Sequence, residues 1–233
     1  VNEEVIMAKE KRFTDRSCRW MAGAFALAAL LVFAVTGAFS GETGQTETIL
    51  DEWGSVQAPA PPELKPVTLD PADTAFLVLD IQQSTCNEQQ RPRCVRSVPR
   101  IVKFLDQTRA KNAAVAHSLT LTGRLEDILP GAGPAPGEPV VRSSVDKFYN
   151  TDLDKFLKER GISTVVIAGT AANGAVLHTA TGAAMRGYRV IVPVDLMSAD
   201  LYAEQYTTWH LVNAPGTRRQ TTLTRSDLID WKN

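Results

Sequence analysis

Three short runs of unbroken apolar sequence constrain this chain more than any other feature. They are AFLVLD (Ala75 to Asp80), TVVIAGT (Thr164 to Thr170) and RVIVPVD (Arg189 to Asp195). A strand with one wet face alternates apolar and polar residues. A run that does not alternate, and then stops at a charge or hydroxyl, fits a strand buried on both faces. AAVAHS (Ala113 to Ser118), EPVVRS (Glu138 to Ser143) and TTLT (Thr221 to Thr224) read as three further strands.

Helical periods fill the gaps. Ser97 as a cap with Pro99 in the first turn predicts a helix presenting Ile101, Phe104, Leu105 and Thr108 on one face. TDLDKFLKERG predicts a second, with Leu153, Phe156 and Leu157 as its stripe and Gly161 as its stop. A small-residue helix is expected from about Ala175 to Arg186, ending at Gly187, and another over Ala199 to Val212. Strands alternating with helices argue for an α/β fold with a parallel sheet covered on both faces. Such sheets bind ligands beyond the carboxyl ends of their strands. The positions to watch are therefore Asp80, Ser118, Arg142, Thr170 and Asp195.

The formal charge is −1, from 25 Lys and Arg against 26 Asp and Glu. That balance offers no basic excess to neutralise a phosphate backbone, so no nucleic-acid partner is expected. Residues 1–40 read as a targeting device. Lys9, Lys11, Arg12, Arg16 and Arg19 precede the uncharged stretch Trp20 to Phe39. As a helix this stretch could just cross about 30 Å of hydrocarbon. It equally fits a signal-peptide core followed by the small-x-small pattern Ala38-Phe39-Ser40. A cleaved signal and a retained membrane anchor both stay open. Either one exports the remainder, to the periplasm or another extracytoplasmic space. Residues 41–70, which include APAPPELKP, read as a Pro-rich linker, and 71–233 as the folded domain.

Three segments resemble the isochorismatase-like family of cysteine-type hydrolases, which includes nicotinamidases. They are LVLDIQ (Leu77 to Gln82), VVRSSVDKFYNTDLDKFL (Val140 to Leu157) and VIAGTAANGAVLHTATGAAMRGYRVIVPVD (Val166 to Asp195). The resemblance implies a three-layer α/β/α, Rossmann-like fold with a six-stranded, mostly parallel sheet. It also implies an Asp, a Lys and a Cys: the thiolate attacks a carbonyl carbon, the Asp exchanges the proton and the Lys supports the charge. Asp80 matches the Asp. Counting back six residues from Phe148 puts Arg142 at the Lys position, while Lys147 stands where the family often has a small residue. The Cys position falls on Ala175, whose methyl cannot attack anything. An Arg cannot plausibly release a proton, so an Asp80–Arg142 ion pair is expected in place of a proton shuttle. Either the natural protein lacks thiol chemistry, which is the preferred reading, or a Cys was replaced to trap a substrate.

Two functions follow. One is an exported hydrolase of small amides, imides or vinyl ethers, with reduced catalysis. Asp80 would activate water, the Ala171 and Ala175 amides would hold the oxyanion, and Gln82, Lys147 and Asn173 would complete the ligand site. The other is a domain that binds a small polar ligand without turning it over. No cofactor is expected. The region after the second strand lacks the Asp-x-His of metal-binding relatives, so no metal is expected either. Cys86 could serve as a replacement thiol, but a Cys86–Cys94 disulfide is preferred in an exported chain. His117 reads as a hydrogen-bonded structural group and His178 as packing. The Tyr202, Tyr206 and Trp209 stripe reads as core or as a contact between copies in a homo-oligomer.

Overall fold

The computed structural model describes residues 47–233. The expectations for residues 1–40 lie outside that range. Among the described residues no helix is long and apolar enough to cross a membrane. The chain divides at Val56. Up to that point the described residues hold one 3₁₀ turn, Trp53–Ser55, preceded by a loop in which Asp51 accepts hydrogen bonds from the Thr48 amide and hydroxyl.

The larger unit begins at Gln57. Its strands are β1 (Val67–Leu69), β2 (Thr74–Leu79), β3 (Ala114–Leu119), β4 (Val140–Arg142), β5 (Thr164–Thr170), β6 (Arg189–Pro193), β7 (Met197–Ser198), β8 (Thr221–Thr224) and β9 (Ile229–Trp231). Its helices are α1 (Pro92–Ala110), α2 (Leu153–Glu159), α3 (Leu177–Met185) and α4 (Leu201–Asn213). The main sheet runs β4-β3-β2-β5-β6-β8, with β7 paired on the end of β5, and every pairing is parallel. This is the expected α/β fold with helices on both sides of a parallel sheet.

Each central strand divides its side chains between two cores. Ala75, Leu77 and Leu79 of β2 pack with Val165 and Ile167 of β5 against α2, α3 and α4. Phe76 and Val78 pack with Val166 and Ala168 against α1. Burial on both faces explains why the strands carry no polar alternation. Each large side chain buried this way contributes about 1.5–3 kcal/mol.

Four boundaries differ from expectation. β1 pairs with β9 in a separate two-stranded ribbon, so ordered structure begins within the stretch read as linker. α1 starts at Pro92, not at a Ser97 cap. A proline at a helix start loses no hydrogen bond, because the first amides have no intrahelical partner. Pro99 lies inside this helix, and the Ser97 hydroxyl bonds back to the Cys94 carbonyl. The helix expected from Ala175 is preceded by a π-helical turn, Ala172–Val176. β7 and β9 are too short to leave a period in sequence.

Candidate active site

The chain moves outward from β2 to β3 and β4, then returns to the other side of β2 as β5. The crevice between β2 and β5 is therefore the topological switch point. Leu79 stands opposite Gly169, so Asp80 and Thr170 leave the sheet at the same end. Gly169 permits that closeness. Its φ is +132°, and a Cβ there would lie 2.1 Å from the Leu79 carbonyl oxygen.

Asp80 adopts a left-handed φ of +54°. Its amide donates to the Ser118 carbonyl at 3.2 Å, and its own carbonyl accepts the Thr85 hydroxyl. Asp80 is only 4% exposed. Lys147 Nζ lies 2.8 Å from Oδ2, and the Ser118 hydroxyl donates to Oδ1 at 2.7 Å. Burial pushes the Asp80 carboxyl above its ordinary range; Lys147, Ser118 and the more distant Arg91 oppose the rise without cancelling it.

Lys147 is fully buried. Its ammonium also donates to the carbonyls of Ser144 at 2.6 Å and Ser143 at 3.2 Å. The loop after β4 is built to aim it. The Ser143 hydroxyl donates to the Asp146 and Tyr149 carbonyls, and the Lys147 amide donates to Thr179 Oγ1 on α3. Arg142 is not the partner of Asp80. It is exposed on the edge strand, where its Nε donates to the Gly123 carbonyl at 3.1 Å. Five residues later the loop has turned back over the sheet, and Lys147 takes the place assigned to Arg142.

A parallel α/β sheet with a buried Asp–Lys pair at its switch point can be compared with known families. The Isochorismatase domain model matches residues 74–222. The chain belongs to this family. It is 28% identical over 142 residues to the secreted isochorismatase effector Isc1 of Verticillium dahliae, covering 56% of this chain and 75% of that protein. It is 27% identical over 180 residues to streptothricin hydrolase of Streptomyces noursei, covering 70% of this chain and 63% of that one. The N-carbamoylsarcosine amidase structure from Thermoplasma acidophilum superposes with a TM-score of 0.56 at 26% identity, over 66% of this chain and 97% of that one.

Ala171, Asn173 and Ala175 lie at the end of β5 and on the turn that follows it. Ala171 precedes the π-helical turn and its carbonyl accepts the Gly174 and Val176 amides. Ala175 is buried in the same core as Phe148 and Ala172. Asn173 is exposed on that turn. Gln82 is not free for a ligand. Its Oε1 accepts the Thr120 amide at 3.1 Å, and its Nε2 donates to Ser84 at 2.6 Å and to Thr120 Oγ1 at 3.1 Å. The amide is fully occupied in fastening the loops after β2 and β3 together. A Cβ on Gly123 would stand 2.4 Å from Gln82 Oε1, so glycine makes room for it.

Cys86 and Cys94 form the preferred disulfide, with Cα atoms 5.3 Å apart, so Cys86 is not a free thiol. The bridge closes the loop that carries Arg91, which donates to the carbonyl of Thr85, the residue before the bridge, at 3.1 Å. His117 is buried, with Nε2 2.9 Å from Glu138 Oε2. His178 is exposed. Tyr202, Tyr206 and Trp209 lie exposed on α4 rather than in the core. Among the described residues no three His, Cys, Asp or Glu side chains gather as a metal-ligand set. Ser118 and the buried role of Lys147 were the features hardest to read in advance. The only signal for Ser118 was its position at the end of an apolar run.

Proposed function

We propose that the domain is an exported hydrolase of small amides, imides or vinyl ethers in which Asp80 and Lys147 handle the proton and water replaces the missing thiol. The observation that carries this reading is the buried Asp80–Lys147 pair at the β2–β5 crevice. Removing two charges from water costs several kcal/mol each, so packing alone gives no reason for such a pair. Lys147 sets a positive charge 2.8 Å from Asp80 Oδ2, on the far edge of the carboxylate from Ser118.

In this mechanism Asp80 takes a proton from water while the hydroxyl oxygen adds to the substrate carbonyl carbon. The Ala171 and Ala175 amides receive the oxyanion. Collapse breaks the C–N bond, and Asp80 returns its proton to the departing nitrogen. The relatives named as amidase and streptothricin hydrolase support the substrate class. The effector described as secreted, the N-terminal pattern and the disulfide support export. An intact mass of protein recovered from outside the cytoplasm tests that part: retention of residues 1–40 identifies an anchor, their loss a cleaved signal.

Carboxylate-activated water attacks an amide more slowly than a thiolate does, so turnover is expected to be low. Against a panel of small amides and ureas, Ala175→Cys should raise turnover by about a thousandfold or more. Asp80→Asn should abolish turnover in both backgrounds. Unchanged turnover in Asp80→Asn would sink the proposal. Ala175 itself favours a second reading, a binding domain. Calorimetric saturation by a ligand recovered chemically unchanged, with no turnover gained by Ala175→Cys, would select it.

A further inference from the structure

We infer that Ser118 is the positioning residue for Asp80: its hydroxyl fixes the Oδ1 edge of the carboxylate, turns the Oδ2 edge to Lys147, and serves the carboxyl group in both protonation states. This deepens the reading of Asp80 as the proton-exchanging group and rests on it.

Ser118 holds Asp80 at two points. Register places it beside Leu79 on the neighbouring strand, so its carbonyl receives the Asp80 amide at 3.2 Å while its hydroxyl reaches Oδ1 at 2.7 Å. The second hold is needed because Asp80 has left the extended conformation at φ +54°. A strand register no longer dictates where its side chain points.

The two partners of the carboxylate are chemically unlike. A lysine ammonium only donates, whereas a hydroxyl both donates and accepts. When Asp80 is ionised, the Ser118 O–H donates to Oδ1. When Oδ1 carries the proton, it donates to Ser118 Oγ. Lys147 meanwhile stays on Oδ2. Ser118 is 3% exposed, so water does not readily substitute for it. Among the described residues no other side chain donates to Oδ1, and the charged groups acting on the carboxylate are Lys147 and Arg91.

The test is a titration of the Asp80 side-chain carboxyl by carbon-13 NMR in the full-length protein labelled at aspartate. The Asp80 signal is assigned by its loss in Asp80→Asn. Ser118→Ala removes the donor to the ionised form, and the midpoint should rise by about one pH unit or more. Ser118→Thr keeps the hydroxyl and should leave the midpoint within a few tenths of the parent. If Ser118→Ala fails to fold, Ser118→Cys keeps the side chain with a weaker donor and should move the midpoint the same way. An unmoved midpoint in folded Ser118→Ala or Ser118→Cys overturns the inference, and so does an equal rise in Ser118→Thr. The titration needs no turnover. The inference can therefore fail while the hydrolase reading stands, and an inactive protein can still show the shift.

Discussion

Lys147 and Arg142 are five positions apart and have opposite fates. Lys147 is buried against Asp80, whereas Arg142 sits exposed at the sheet edge. Removing one partner of a buried pair leaves the other charge uncompensated. Lys147→Met should therefore cost about 3–5 kcal/mol in urea unfolding. Arg142→Ala should change stability by no more than about 0.5 kcal/mol. The reverse order of losses would contradict the pairing. Adding Asp80→Asn to Lys147→Met should recover part of the loss, because it removes the stranded charge. Asp80 was legible in the sequence because an apolar run ends on it. Lys147 was not. Counting along a motif assumes a fixed loop path, and the loop after β4 folds back by hydrogen bonds from Ser143 that no spacing announces. Gln82 misled in the same way. A polar residue beside a catalytic-type aspartate looks available until its three hydrogen bonds are counted.

The segment from the end of β2 to the start of α1 behaves as one element, stapled by Cys86–Cys94. The Thr85 hydroxyl ties it to the Asp80 carbonyl, and the Arg91 guanidinium ties it to the Thr85 carbonyl. Closing a short loop removes conformations from the unfolded chain, so Cys86→Ser with Cys94→Ser should cost about 2–4 kcal/mol. The same double variant should become cleavable by protease between Glu88 and Arg91, because Glu88, Gln89 and Gln90 are exposed and the bridge closes the loop around them. Resistance equal to the parent's would show that the bridge does not hold the loop. The disulfide pairing followed from sequence because two cysteines near each other, in a chain expected to be exported, have few alternatives. The start of α1 did not follow. Ser97 has a cap-type side chain, but its hydroxyl bonds back to the Cys94 carbonyl inside a helix that already begins at Pro92.

At the scale of the whole domain, acid should act in part through a cluster away from the Asp80 pair. Burial would raise the Glu138 carboxyl. Bonds from Arg109, the Ala135 amide and His117 overcome this and bring it down to about 2. Burial also lowers the His117 pKa, more than Glu138 raises it. Both groups bind protons more readily unfolded than folded, so both contribute stability that is lost as the pH falls. The His117 contribution fades from about pH 6.5 downward, and that of Glu138 between about 4.5 and 2. Asp80 has the opposite sign, since its raised carboxyl holds a proton better when folded. The urea midpoint should therefore drop from pH 7 to pH 3, and Glu138→Gln should start lower but fall less steeply below pH 4.5. A Glu138→Gln midpoint that falls as steeply as the parent's below pH 4.5 would contradict the sign of the Glu138 shift.

Sequence alone determined the parallel α/β sheet and the end of it at which Asp80 lies. Unbroken apolar runs can be buried only on both faces, and strands joined through helices must all point the same way. It also determined that an Asp ends the first apolar run and that residue 175 is an Ala, since residue identity needs no coordinates. Only the tertiary structure decided that Lys147 and Ser118 are the partners of that carboxylate. They arrive from a loop and a strand dozens of residues away, and what brings them together is the closing of the fold.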